Sequence, residues 1–347
     1  MKAGEDAMNA GEKMKHKIAT IGSHSALQIL RGAKDEGFET IVVSTPRNSK
    51  VYRAFGVADK IIEIEAHSQF ASADAQLVKE NAIIVPHGSF NAYVNKADYD
   101  SLKTPIFGSR KILDWETDRL KQREWLMKAG LRVPKDFHTA GDIDRPTIVK
   151  YYGARGGKGY FFAKNEVEFE AGVKKSGRSP LIIQEYIIGV PFYIHYFHSP
   201  LAGETEIMSM DKRYETNVDS LGRIPLKHQE DIDIDPSFVV VGNLPLVMRE
   251  SMLAEALEMA ERLVNASKQL AGPKGLYGPF CLETIITPEE EIFVIEVSAR
   301  IVAGTNAFIP DSPYTALRYS KPVSTGRRIA MEIKQAIDEN RLSEVLD

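Results

Sequence analysis

Residues 281–298 read CLETIITPEEEIFVIEVS. Two apolar runs, Cys281–Thr287 and Ile292–Ser298, flank Pro288–Glu291, the pattern of a β-hairpin. A four-residue loop pairs Thr287 with Ile292, and counting back from there sets Glu283 opposite Glu296, with Cβ atoms about 4.5–5.5 Å apart. Carboxylates so placed repel unless one is protonated or a cation lies between them. Hard oxygen donors favour magnesium, or manganese in its place, which takes one or two carboxylates together with phosphate oxygens. Glu283 and Glu296 are therefore the candidate metal ligands. The plain alternative is two solvent-facing glutamates on an exposed sheet face.

Upstream, residues 150–159 read KYYGARGGKG between two predicted strands. Glycines at 153, 156, 157 and 159 let backbone N–H groups converge on an anion, and Lys150 and Lys158 add charge. The loop suits a triphosphate, although it is no Walker loop, because no G-x-x-x-x-G-K-[ST] match exists and a strand follows. A flexible hairpin with solvated lysines is the competing reading. Between loop and hairpin, Ile183–Gly189 (IQEYIIG) is an apolar strand ending in Glu185 that enters a turn. Such a linker can hold a flat heterocycle between apolar side chains, though Tyr186 and Ile187 also fit as plain core.

Toward the amino terminus, short apolar runs at Ile18–Ile21, Thr40–Val43, Lys60–Ile64, Ala82–Val85 and Pro105–Phe107 alternate with helical stretches. This is the signature of a doubly wound parallel sheet, in which ligands sit beyond the carboxyl ends of the strands. Those ends carry Gly22-Ser23-His24-Ser25 and Pro86-His87-Gly88-Ser89-Phe90. Neither matches GxGxxG, and no acidic residue follows the second strand in a ribose-binding position, so a dinucleotide fingerprint is absent. Ser23 and Ser25 read as helix N-caps; His24 does not. Asp114–Ala129 reads as one amphipathic helix ending at Gly130. Beyond it, strands at Thr147–Lys150, Gly159–Ala163, Leu181–Glu185, Phe192–His198 and Glu206–Arg213 precede a long helix near Met248–Leu270 and the hairpin. That irregular mixture indicates an α+β organisation.

The chain of 347 residues, with 44 Lys+Arg against 48 Asp+Glu and one cysteine, is long enough for two or three domains. Its nearly balanced charge offers no basic footprint for nucleic acid, and no run approaches a membrane span. Cys281 alone makes neither a disulfide nor a thiolate cluster, which fits a cytoplasmic location. Residues 1–16 read as a flexible leader, 17–112 as an α/β substrate-binding domain, and 113–347 as a second domain with a lid near 147–200.

The order of these features resembles the ATP-grasp superfamily. The strings IGSHSALQIL (21–30), VPHGSFNAYV (85–94), GVPFYIHYF (189–197), DKRYETN (211–217) and EVSARIVAGTN (296–306) resemble in particular the archaeal formate-dependent 5-formaminoimidazole-4-carboxamide ribonucleotide (FAICAR) synthetase family. The resemblance implies an α/β domain followed by an ATP-grasp fold of two α+β subdomains. It also implies an ATP- and formate-dependent ligase that formylates 5-aminoimidazole-4-carboxamide ribonucleotide (AICAR) through formyl phosphate, in purine biosynthesis. Glu283 and Glu296 resemble that family's metal ligands. Lys150, Lys158, Glu185, Tyr186, Ile187 and Glu215 resemble its nucleotide contacts, and His24, Ser89 and Asn243 its AICAR contacts. Arg300 and Lys158 are the expected catalytic cations, with Arg300 and Asn306 placed to meet a substrate phosphate or formate. Asn243, in VVGNLPLV, otherwise passes as a turn residue. Two positions depart from many relatives: Ser298 replaces the asparagine of E-x-N, and Tyr193 stands where a ribose-binding carboxylate is common. A paralogous ligase joining another carboxylate to another amine is the alternative, and a non-catalytic nucleotide sensor is a more distant one. Exposed antiparallel strands such as Phe192–His198 suggest a homo-oligomer.

Overall fold

The computed structural model describes residues 16–151, 160–177, 181–216, 221–229 and 239–347; Lys158 lies outside them. Near-continuous apolar runs suit strands covered on both faces. Such runs form β1 (Lys17–Ile21), β2 (Thr40–Ser44), β3 (Lys60–Glu63) and β4 (Ala82–Ile84), all parallel, in the order β3-β2-β1-β4. From β1 the chain winds outward to β3 and returns on the opposite side as β4. A crevice therefore opens between the ends of β1 and β4, where the winding reverses. The fifth expected strand, Pro105–Phe107, is reduced to single bridges: Ile84 with Ile106 in parallel, and Phe107 with Leu346 antiparallel. Pro105 has no N–H to donate, and Gly108, at φ 104°, turns the chain away.

The expected single helix over 114–129 is two helices, Arg110–Thr117 and Arg119–Lys128. Asp118 between them is extended and its carboxylate accepts the N–H groups of Leu120 (2.9 Å) and Lys121 (3.2 Å). An aspartate gains more by capping than by sitting inside a helix, so it splits the run.

A four-stranded antiparallel sheet follows, with β5 (Asp136–Phe137), β6 (Thr147–Tyr151), β7 (Tyr160–Ala163) and β8 (Leu181–Glu185) in the order β5-β8-β6-β7. The largest sheet is also antiparallel: β9 (Val190–Ser199), β10 (Glu204–Glu215), β11 (Val240–Leu246), β12 (Gly278–Ile286) and β13 (Ile292–Ser298), ordered β11-β10-β9-β12-β13. Its strand β11 was hidden in the sequence by Gly242 and Pro245, which an edge strand tolerates. Asn243 thus sits on a strand rather than in a turn. Phe192–His198 belongs to β9, paired on both sides by β10 and β12, so it has no free edge to offer another subunit.

One face of the large sheet packs on the helix Leu253–Ala271, whose buried side carries Ala256, Met259, Ala260, Leu263 and Val264. Trp125 is fully buried there and donates its indole N–H to the Leu263 carbonyl at 3.0 Å. Near the carboxyl terminus, the helix Thr325–Asp338 returns to lie against the helix Ala26–Asp35 that follows β1. None of the helices among the described residues is long and apolar enough to cross a membrane.

Candidate functional site

Glu283 and Glu296 stand opposite each other on β12 and β13, reached by a different count from the one expected. The loop spans five residues, Thr287–Glu291, so Ile292 pairs with Ile286, not Thr287; an extra residue between Val294 and Glu296 then restores the register at the glutamates. The loop and the bulge cancel. Such a bulge bends a strand and re-aims its side chains.

Across the sheet, Glu283 pairs with Tyr193 on β9 and Tyr193 with Asp211 on β10. Arg213 passes 3.9 Å over the centre of the Tyr193 ring and grips Glu283 through both guanidinium nitrogens, at 2.6 and 3.2 Å. Burial opposes the Arg213 charge, and Glu283 more than offsets it, so the arginine holds its proton more tightly than usual. Tyr193 therefore serves as the bed of a cation. Glu296 is open to solvent within the cleft yet ringed by protein. Its pKa is pushed up to about 7, by burial first and then by the like charges of Glu283 and Glu116. Two facing carboxylates, of which Glu296 resists ionisation, fit a divalent cation with oxygen ligands. Among the described residues no group of three or more His, Cys, Asp or Glu side chains gathers as a metal cluster. A two-glutamate site would draw its remaining ligands from phosphate and water.

Lys150 lies on β6, where its ammonium donates to Gln184 Oε1 at 2.9 Å, and Gln184 in turn donates to Asp136. Burial and the Arg119 charge lower the Lys150 pKa, while Glu296 acts in the other direction. At the end of β8, the Glu185 carboxylate accepts from the Lys135 N–H (3.0 Å) and from Arg145 (2.9 Å), so it anchors the linker. Tyr186 meets Phe162 edge-on, and Ile187 is buried. Glu215 ends β10 opposite Val240.

The crevice of the parallel sheet faces this hairpin. Gly22 permits the turn after β1, since a Cβ there would fall 2.4 Å from Ser44 Oγ. His24 then adopts φ 40°, and its Nδ1 is hydrogen-bonded to the hydroxyls of Ser89 and Ser23. Ser25 precedes the helix, but its side chain makes no capping bond. Burial, then Arg300 and Arg213, lower the His24 pKa. Neighbouring His87 is fixed as the neutral Nε2–H form: Nε2 donates to the Ile21 carbonyl (2.8 Å), Nδ1 accepts the Ser89 N–H (3.2 Å), and burial drives its pKa down to about 3.

Arg300 reaches from the end of the hairpin to the crevice of the parallel sheet. Its Nη2 bonds Glu116 Oε1 at 2.6 Å, and Glu116 Oε2 accepts the Ala299 N–H at 2.9 Å. A Cβ at Gly88 would lie 3.5 Å from His24 and 3.6 Å from Arg300, which places both side chains at contact distance from the loop after β4. Asn306 donates to the His24 carbonyl at 2.9 Å, and Asn243 donates to Asp211 at 2.6 Å. The sequence reading missed Arg213, Glu116 and Asp211. Strand alternation through DKRYE already placed Asp211, Arg213 and Glu215 on one face; nothing in the sequence tied Glu116 to Arg300.

A parallel α/β sheet, a small antiparallel sheet carrying Lys150, and a large antiparallel sheet bearing two facing glutamates define the ATP-grasp architecture. An N5-carboxyaminoimidazole synthetase from Staphylococcus aureus, solved with ADP, shares the fold at TM-score 0.62 and 18% identity, covering 84% of this chain and 72% of that one. The IMP biosynthesis protein PurP from Thermococcus kodakaraensis superposes at TM-score 0.78 and 30% identity, over 95% of this chain and 100% of that one. Two family models match, described as a protein of unknown function (DUF1246) over residues 18–137 and a domain of unknown function (DUF1297) over 161–347. The 5-formaminoimidazole-4-carboxamide-1-(beta)-D-ribofuranosyl 5'-monophosphate synthetases of Pyrococcus horikoshii and Thermococcus kodakarensis are each 50% identical, over 95% of this chain and 99% of theirs. The chain belongs to this synthetase family.

Proposed function

We propose that the protein formylates AICAR at the expense of ATP and formate, giving FAICAR, ADP and phosphate in purine nucleotide synthesis. The observation that carries this reading is Arg300, which follows the glutamate-bearing hairpin, is held by Glu116 and lies against Gly88 beside His24 in the crevice of the parallel sheet. The identity of 50% over 95% of the chain to the named synthetases supports the same reaction.

A formate oxygen attacks the γ-phosphorus as the bond to ADP breaks, giving formyl phosphate. The AICAR amine then attacks the formyl carbon, phosphate leaves with the carbon–oxygen bond, and the nitrogen loses a proton. Charge accumulates on phosphoryl oxygens throughout, so positioned cations serve better than a covalent nucleophile. Lys150 and Lys158 are assigned to the phosphates and Arg300 to formate and the transferring phosphoryl group. Glu185, Tyr186, Ile187 and Glu215 are assigned to the nucleoside. Glu283 and Glu296 would hold magnesium, with manganese as a substitute, which supplies charge neutralisation at the β- and γ-phosphate oxygens when bound. His24, Ser89 and Asn243 are assigned to AICAR. Val241 and Leu244 are exposed on β11, the outer strand of the large sheet among the described residues, which supports self-association, and a biosynthetic role on small molecules supports a cytoplasmic location. Residues 17–112 and 113–347 are taken as the two domains, 147–200 as the lid, and 1–16 as a leader.

The test is ADP release by the purified protein. It should require formate and AICAR together, and Glu296→Gln should cut turnover by roughly 10²–10³-fold, on the scale of losing one charge-stabilising group, with its circular dichroism melt intact. Full activity in that folded variant would refute the assignment.

A further inference from the structure

Asp211 is fully buried on β10, yet no role in phosphoryl transfer falls to it. Its two carboxylate oxygens are engaged separately. Oδ1 accepts from His195 Nε2 at 2.6 Å, and Oδ2 accepts from Asn243 Nδ2 at 2.6 Å. Rotation is blocked, because the turn Ala303–Phe308 packs so tightly that a Cβ at Gly304 would lie 2.1 Å from Oδ1.

A carboxylate only accepts hydrogen bonds, so the amide face that Asn243 turns to Asp211 must be its NH₂. The carbonyl oxygen Oδ1 is left pointing the other way, and no described residue donates to it. Asn243 pairs directly with Arg213 on the neighbouring strand. It therefore shares the sheet face on which Arg213 reaches Glu283. An amide free to flip could turn either its NH₂ or its oxygen to the cleft; with the NH₂ held by Asp211, this one turns its oxygen.

We propose that Asp211 is a positioning residue that locks the Asn243 amide so that its oxygen faces the cleft, making residue 243 a reader of N–H donors on the substrate. The inference rests on the assignment of Asn243 to the AICAR site. The ligand chemistry that suits it is an amine or carboxamide N–H; a carbonyl or ether oxygen at the same place meets an unpaired acceptor. Sites built to hydrogen-bond a polar group reject analogues lacking it strongly, because a buried partner is left unpaired. His195 completes the lock by occupying the second oxygen of Asp211.

The chemistry of the lock can be exchanged between its two members. In Asp211→Asn/Asn243→Asp, the new amide at 211 donates to residue 243 and accepts from His195, while the carboxylate at 243 still shows an acceptor to the cleft. Asn243→Asp alone sets two carboxylates against each other, and Asp211→Asn alone frees the amide. AICAR binding to the full-length protein by calorimetry, with KM for AICAR and for ATP and thermal melts alongside, reads the difference. Each single variant should weaken AICAR binding and raise its KM at least tenfold with KM for ATP within twofold, and the double variant should recover to within about threefold of the parent. Unchanged AICAR affinity in Asp211→Asn, or a double variant as weak as the worse single while melting like the parent, would overturn the lock. If the parent protein binds no AICAR, the functional assignment fails first and takes the lock with it.

Discussion

Arg213 shows how much of the site is written in single side chains. Its guanidinium satisfies Glu283 while resting on Tyr193, so one of the two facing glutamates already has a cationic partner within the chain. Replacing Arg213 with Met leaves Glu283 without its bidentate donor, at a cost of about 1–3 kcal/mol for an unsatisfied charged partner. The metal-free variant should melt below the parent, and magnesium with nucleotide should raise its Tm by more than it raises the parent's. Equal melting temperatures would mean that water already serves Glu283. At this scale the facing of Glu283 and Glu296 was legible, because a hairpin pattern sets which residues meet across it. The sequence was illegible where a partner comes from a distant segment: Glu116 lies 184 positions from Arg300, and only the folded chain brings their side chains to 2.6 Å.

Among the elements, the pairing of the helices Ala26–Asp35 and Thr325–Asp338 is the contact that the sequence least announced. Glycines make it possible. A Cβ on Gly32 would fall 2.2 Å from the Arg327 backbone nitrogen, and one on Gly326 would fall 2.3 Å from the Gln28 carbonyl oxygen. Alanine in place of a helical glycine ordinarily stabilises by about 1 kcal/mol. Here the sign should reverse: Gly326→Ala should lower the denaturation midpoint, since the added methyl group meets backbone that cannot rotate away. A midpoint equal to or above that of the parent would show that the helices can part cheaply. Apolar periodicity located most strands, because burial on one face or two leaves a repeating pattern; the helix Thr325–Asp338 was not read from it. Strand β11 escaped, since its glycine and proline break that pattern, and the helix break at Asp118 escaped because the apolar spacing continues across it. The hairpin register came out right at Glu283 and Glu296 although its loop was miscounted.

At the level of the whole molecule, pH acts through histidines held neutral. Burial, with help from Lys268, lowers the His198 pKa to about 4, against roughly 6.5 in an unfolded chain. Between those values the unfolded chain carries the extra proton, so this contribution is intact above about pH 6.5, declines as pH falls and levels off below about 4. The same sign applies to His87, with its lower limit near 3. Denaturant titrations at pH 7 and pH 4.5 should therefore differ more in the parent than in His198→Gln, by up to about 3 kcal/mol. Identical pH dependence in the two proteins would remove His198 from the account. The overall architecture follows from the order of segments: a parallel sheet presents its winding reversal to an antiparallel sheet, and Arg300 spans the gap.

That geometry serves one chemical claim, that formate is activated by phosphorylation in this cleft before the amine takes it. Turnover with formate labelled in both oxygens with ¹⁸O, followed by mass analysis of the released phosphate, tests it directly. The account predicts one ¹⁸O atom in each phosphate formed, because the oxygen that attacks phosphorus departs with it. Product formation accompanied by phosphate free of label would contradict it.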